Sequence, residues 1–223
     1  MKRTFGRVCW MVGLLAITTA NAAEPEGVAA ADRIEEDWEV VVGNPDWVSI
    51  GPQLTVCMNP FQAAGYNVFT FYINYRDYPY WSPGGLQLKA YLPPLEEENE
   101  PRVAAYDSQG DEVFQTEGET IRWTQRMSLA NGTLAFEVVH GESTTWGHFG
   151  DEAGSLRVEV DAPISHLAGY SPDESVARSG ASWQSNRVIS LTLVRVRYYK
   201  EGQLLATDET ARSVSLQATE SGD

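Results

Sequence analysis

Period-two alternation of apolar and polar residues runs through most of the chain, the repeat of a half-buried β-strand whose successive side chains point to opposite faces. Leu156-Arg157-Val158-Glu159-Val160 alternates without error, as one buried and one wet face of an antiparallel strand demand. Asn67 to Tyr75 places Phe69, Phe71, Ile73 and Tyr75 on one side and the moderately polar set Val68, Thr70, Tyr72 and Asn74 on the other. In Met127 to Phe136 two patterned runs flank Asn131-Gly132, a pair suited to the two positive φ values of a type I′ turn, which predicts a hairpin. Asn131-Gly132-Thr133 is also a glycosylation sequon, but the turn accounts for the same residues.

The apolar phase of Ile189, Leu191 and Leu193 jumps to Val194, Val196 and Tyr198. One extra residue near Leu193-Val194, a β-bulge, would keep both sets facing the core and aim Arg195 and Arg197 outward. Pro163 to Ala168 and Pro172 to Ala177 are expected to form single helical turns at most. Strands are expected near 37–43, 53–58, 66–75, 85–92, 102–107, 112–116, 120–129, 133–140, 154–160, 188–199, 203–208 and 212–217. So many short strands predict an all-β fold, a two-sheet antiparallel β-sandwich of jelly-roll type.

Lys2, Arg3 and Arg7, the apolar run Val8 to Ala20 and the small-x-small triplet Ala20-Asn21-Ala22 read as a signal peptide over 1–22, cleaved after Ala22. The run is shorter than the roughly 20 apolar residues that span a bilayer, so no transmembrane segment is expected in the mature chain. Gly6-Arg7-Val8 before Cys9 lacks the approach of a lipid-modified cysteine. The expected organisation is a flexible lead-in over 23–34, one sandwich domain over 35–217 with an acidic loop at Pro93 to Pro101, and a polar tail over 218–223. Export would end in the periplasm, at the cell surface or outside the cell.

The 223 residues carry sixteen Lys and Arg against thirty-one Asp and Glu, a formal charge of −15. Losing the three leader cations gives −15 − 3 = −18 for the mature chain. That sign opposes nucleic-acid binding, which rests on neutralising phosphates. Cys57 alone remains after cleavage, so no intramolecular disulfide is expected and stability must come from a core. Within Leu54 to Met58 the thiol reads as a buried small hydrophobe.

Trp123 to Gly150, Asn186-Arg187-Val188 and Val194 to Tyr199, with Ile34 to Glu39 and Gly84 to Leu88, resemble segments of uncharacterised secreted bacterial β-rich proteins, a likeness that brings no activity. The strand series with its Trp146-Gly147 turn is also loosely similar to concanavalin-like and laminin-G-like sandwiches. That likeness implies an architecture that often binds glycans, without supplying a site.

Catalytic signatures are sparse. Sandwich glycosidases of one large family carry Glu-x-Asp-x-x-Glu; Glu35-Glu36-Asp37-Trp38-Glu39 is one residue too short and reads as a solvated edge strand. Gln-x-His and Gly-x-Ser-x-Gly are absent, and His140, His148 and His166 read as surface or turn residues rather than zinc ligands. No cofactor is expected; calcium is the lesser alternative, because Asp107 to Glu112 and Gly150-Asp151-Glu152 supply hard oxygen ligands, but the EF-hand spacing is missing and a hairpin turn explains the first loop.

Aromatic residues carry the functional expectation. Tyr75-Arg76-Asp77-Tyr78-Pro79-Tyr80-Trp81 combines flat rings, stiffening prolines and polar handles, the composition of a sugar-stacking platform. Tyr78, Tyr80, Trp81, Trp146 and Trp183 are therefore the candidate ligand contacts; packing at the rim of the core is the competing reading. Trp123 reads as core. Arg157, Arg195 and Arg197 read as cross-strand partners of acids such as Glu137 and Glu159 rather than as a sulfate or uronate site. The leading expectation is a secreted non-enzymatic protein that binds a polysaccharide or envelope component. The alternatives are a structural or adhesive protein without a small ligand and, behind both, a polysaccharide hydrolase or lyase.

Overall fold

The structure, a computed structural model, describes residues 28–43, 52–61, 68–74, 85–91, 103–107, 116–145, 147–151, 156–161, 164–182 and 187–216. Its thirteen described strands form two antiparallel sheets, as the alternation predicts. The larger sheet runs β12 (Gln203–Asp208), β11 (Val188–Lys200), β1 (Arg33–Val42), β6 (Thr120–Ala130), β7 (Thr133–Ser143), β8 (Gly147–Phe149). In addition, β13 (Arg212–Ser213) pairs with β11 and β9 (Arg157–Asp161) with β7. The smaller runs β10 (Gly180–Ser182), β2 (Gln53–Met58), β3 (Phe69–Ile73), β4 (Leu86–Ala90), β5 (Val103–Asp107). The expected strand over 112–116 lies almost wholly outside the described residues.

The core is the contact between the sheets' inner faces. Phe69 stacks on Phe136 with centroids 4.9 Å apart, and Phe71 meets Trp123 edge-on at 5.6 Å. Trp38 and Trp123, cross-strand neighbours on β1 and β6, lie parallel and buried. Each such ring contributes roughly 2–3 kcal/mol through burial. Cys57 is buried as expected: its Sγ donates to the Arg178 carbonyl at 3.3 Å, and burial pushes the thiol up to about 12.

Asn131 and Gly132 have φ of 52° and 80° and join β6 to β7 through the pair Ala130 and Thr133, the expected two-residue hairpin. The expected bulge in β11 is present as well. Asp37 pairs with Arg195 and Trp38 with Leu193, leaving Val194 as the extra residue. A second bulge was not foreseen: Val41 pairs with Ser190 and Val42 with Val188, leaving Ile189 over. Ile189 and Val194 therefore do not face the core; they are exposed, whereas Val188, Leu191, Leu193, Val196 and Tyr198 are buried.

Three further expectations are corrected. β1 is not a solvated edge but lies between β11 and β6, with Ile34, Glu36, Trp38 and Val40 buried. Regular structure occurs within the lead-in: β1 begins at Arg33, and a 3-10 turn at Val28–Ala30 precedes it, with Val28 and Ala31 buried in the core. Pro172–Arg178 forms a two-turn helix, α1, rather than a single turn. Pro172 suits its first turn, Asp173 and Glu174 face the positive helix end, and Glu174 pairs with Arg178 one turn on.

Candidate functional site

All five candidate contacts, Tyr78, Tyr80, Trp81, Trp146 and Trp183, lie outside the described residues. The strands flanking them carry the information. In the smaller sheet Leu54 pairs with Ile73, Ile73 with Leu86, Leu86 with Asp107 and Gln53 with Ser182. The end of β3, the start of β4, the end of β5, the start of β2 and the end of β10 therefore share one side. In the larger sheet Val42 pairs with Val188, Val41 with Thr120, Ile121 with Ser143 and Ser143 with Gly147.

The inter-sheet contacts align these two sides. Along β3 the inner face passes from Phe69 on Phe136 to Phe71 on Trp123 and Phe149, toward the Ile121 and Ser143 end of the larger sheet. Both sets of strand ends thus form one pole of the sandwich. The connection from Ile73 to Leu86 carries Tyr78, Tyr80 and Trp81; that from Ser143 to Gly147 carries Trp146; that from Ser182 to Arg187 carries Trp183. The connection from Gly43 to Pro52 opens at the same pole and carries Trp47. Sequence reasoning left Trp47 out because nothing local distinguishes it; only strand order brings its connection beside the others. Trp38 and Trp123 lie in the core, and Trp47, Trp81, Trp146 and Trp183 belong in sequence to connections between strand ends of this pole.

Around Trp146 the described residues explain the Gly-rich spacing. Gly147 and Gly150 have φ of 95° and 78°. Phe149 packs its ring onto Gly141, where a Cβ would come within 2.3 Å of it. Gly141 follows His140 in a β7 bulge opposite Trp123, and the His140 N–H donates to Asp151 Oδ1 at 2.8 Å. Asp151, an acid of the second candidate calcium loop, is thus engaged by backbone. All three histidines are exposed, as expected. Among the described residues no group of three or more His, Cys, Asp and Glu side chains gathers as a metal set, and no helix is long and apolar enough to cross a membrane.

The outer face of the larger sheet carries an ion-pair row. Cross-strand register sets Arg197, Glu35, Arg126, Glu137 and Arg157 side by side across β11, β1, β6, β7 and β9. The signs alternate, and successive contacts measure 3.2, 2.7, 3.0 and 2.8 Å. Next to it Asp37 accepts from Arg195, Arg197 and Thr124. Arg157 pairs with Glu137 and Glu159, as the sequence predicted; Arg195 and Arg197 pair instead with the acids of β1.

One carboxyl faces the other way. Glu36 is fully buried beneath the strap that links β9 to β10. It accepts from Trp38 Nε1 and from Tyr170 Oη, each at 2.8 Å. Burial raises its pKa to about 7, against the lowering effect of hydrogen bonds from Ser175, Trp38 and Tyr170 and the field of Arg212. Its neighbour in register, Gln125, is also fully buried, and neither of its amide atoms has a hydrogen-bond partner among the described residues.

The fold and these features define a two-sheet antiparallel sandwich with a charge-paired outer face. No family model, curated protein or solved structure matches the chain.

Proposed function

We propose that this chain is an exported, non-enzymatic β-sandwich that binds a glycan or another envelope component through aromatic side chains at one pole. The observation that carries the reading is the connectivity: the connections bearing Tyr78, Tyr80, Trp81, Trp146, Trp183 and Trp47 all open at the same end of the sheets. Aromatic residues in connections that share one end of the sheets suit stacking against a saccharide chain. A second reading, a structural or adhesive protein without a small ligand, draws on the outer face of the larger sheet, whose arginines are engaged by neighbouring acids.

The test is depletion of purified protein from solution over insoluble neutral, sulfated and uronate-rich polysaccharides, with and without EDTA. Selective depletion is expected. Replacing Trp81, Trp146 or Trp183 by Ala is expected to weaken it by about tenfold each, the equivalent of ~1.4 kcal/mol. Loss in EDTA would assign calcium to the site. Absence of depletion from every polysaccharide refutes glycan binding and leaves the structural reading.

A further inference from the structure

The segment Ile164–Ser182 forms a strap between the sheets: its start lines one cavity with Leu129, it turns at Tyr170, forms α1 and ends as β10 on the smaller sheet. Its inner side rests on Glu36. Tyr170 Oη donates to that carboxyl, and Ser175 of α1 hydrogen-bonds to it as well. Farther along, Ser179 Oγ accepts the Cys57 N–H at 3.0 Å, so that the end of α1 covers the thiol.

Among the described residues no cation pairs with Glu36. Arg212, whose field acts on it, is held by Asp208 and Asp173, each at 2.7 Å. Among the described residues the other titratable groups around it are Tyr170 from the strap, Tyr198 from β11 and Cys57 from β2. Tyr170 and Cys57 are pushed up by burial and stay neutral. Gln125, on β6, brings an amide without a charge. A buried carboxylate with donors but no paired charge is costly, and neutralising it removes that cost.

We propose that Glu36 is a pH-sensitive latch, holding the strap Ile164–Ser182 against the larger sheet while neutral and loosening it when charged. The direction follows from linkage. Below the ordinary carboxyl value of 4.5, docked and open states both keep the proton and the latch is fully closed. As pH rises the open state, where water reaches Glu36, loses its proton first, and docking weakens until the docked state titrates near 7. Because the strap ends in β10 at Ser182, loosening would reach the start of the connection whose sequence contains Trp183.

Cys57 reports the strap's opening. In a Cys9→Ser chain it is the single thiol, and its labelling rate measures how often α1 lifts. Dividing that rate by the rate for Glu36→Gln at the same pH cancels the thiol's own titration. The ratio is expected to rise roughly thirtyfold between pH 5.5 and 8.5, from a carboxyl moving between about 4.5 open and about 7 docked. Tyr170→Phe, which removes a bond that favours the charged form, is expected to extend the rise to higher pH while its onset stays in place. A ratio constant within twofold overturns the proposal.

Amide hydrogen exchange on the Cys9→Ser chain decides the matter even if Glu36→Gln does not fold. Protection of Tyr170 to Ser179, corrected for intrinsic exchange, is expected to fall over this pH range while that of β11 holds. Parallel changes in both segments would show global unfolding rather than a strap and would equally overturn the proposal.

Discussion

Glu35→Gln tests whether the outer-face row contributes to stability. Glu35 is only 4% exposed, and it faces the guanidinium groups of Arg126 at 2.7 Å, Arg197 at 3.2 Å and Arg33 at 3.5 Å. Gln keeps the shape but removes the charge those groups share. Breaking a fully buried ion pair costs roughly 3–5 kcal/mol. These arginines retain a quarter to a third of their exposure, and Glu137 and Asp37 still hold two of them, so the expected loss is about 2–3 kcal/mol. Glu159→Gln, at the open end of the same face with its side chain 55% exposed, is expected to cost under about 0.5 kcal/mol. Urea unfolding followed by tryptophan fluorescence measures both, with the slope held constant so that the midpoint reports stability. In 1 M salt the Glu159 effect should vanish and the Glu35 effect largely persist, since buried pairs are less screened. Equal losses for the two variants would refute the argument that register across five strands, rather than mere proximity of surface charges, gives the row its strength.

The remaining predictions concern packing. Gly141→Ala would drive a Cβ into the Phe149 ring and is expected to cost about 1–3 kcal/mol; Gly180→Ala, where a Cβ meets nothing within 4 Å, should be near neutral by the same urea assay. Leu193→Ala, fully buried, is expected to cost about 2–5 kcal/mol. Val194→Ala beside it, at 41% exposure, should cost under about 0.5 kcal/mol; a comparable loss would mean that Val194 is not the bulged residue.

What was legible in the sequence follows from the range of each interaction. The hairpin at Asn131-Gly132 and the alternation of Leu156 to Val160 are local, and both stand where they were expected. The bulge at Val194 was legible because it shifts an apolar phase; the bulge at Ile189 was hidden because an isoleucine fits either face of a strand. β1 was misjudged for a different reason. Its run of acids matches a solvated edge when read alone, and the arginines that neutralise it lie 91, 158 and 160 positions away in sequence.

The candidate site shows the same division. Aromatic content picked out Tyr78, Tyr80, Trp81, Trp146 and Trp183, but composition has no means of relating segments a hundred residues apart. Strand order supplies that relation, and it adds Trp47 to the set. Glu36 was invisible among its acidic neighbours because alternation assigns Glu35, Asp37 and Glu39 to one face without saying what covers the other. The signal that would have exposed it is phase: Glu36 shares its face with Ile34, Trp38 and Val40, three core residues, so a strand buried on that side must also bury a carboxyl. A lone acid in phase with an apolar stripe is thus a stronger pointer to a perturbed group than a cluster of acids, whose members can all face water.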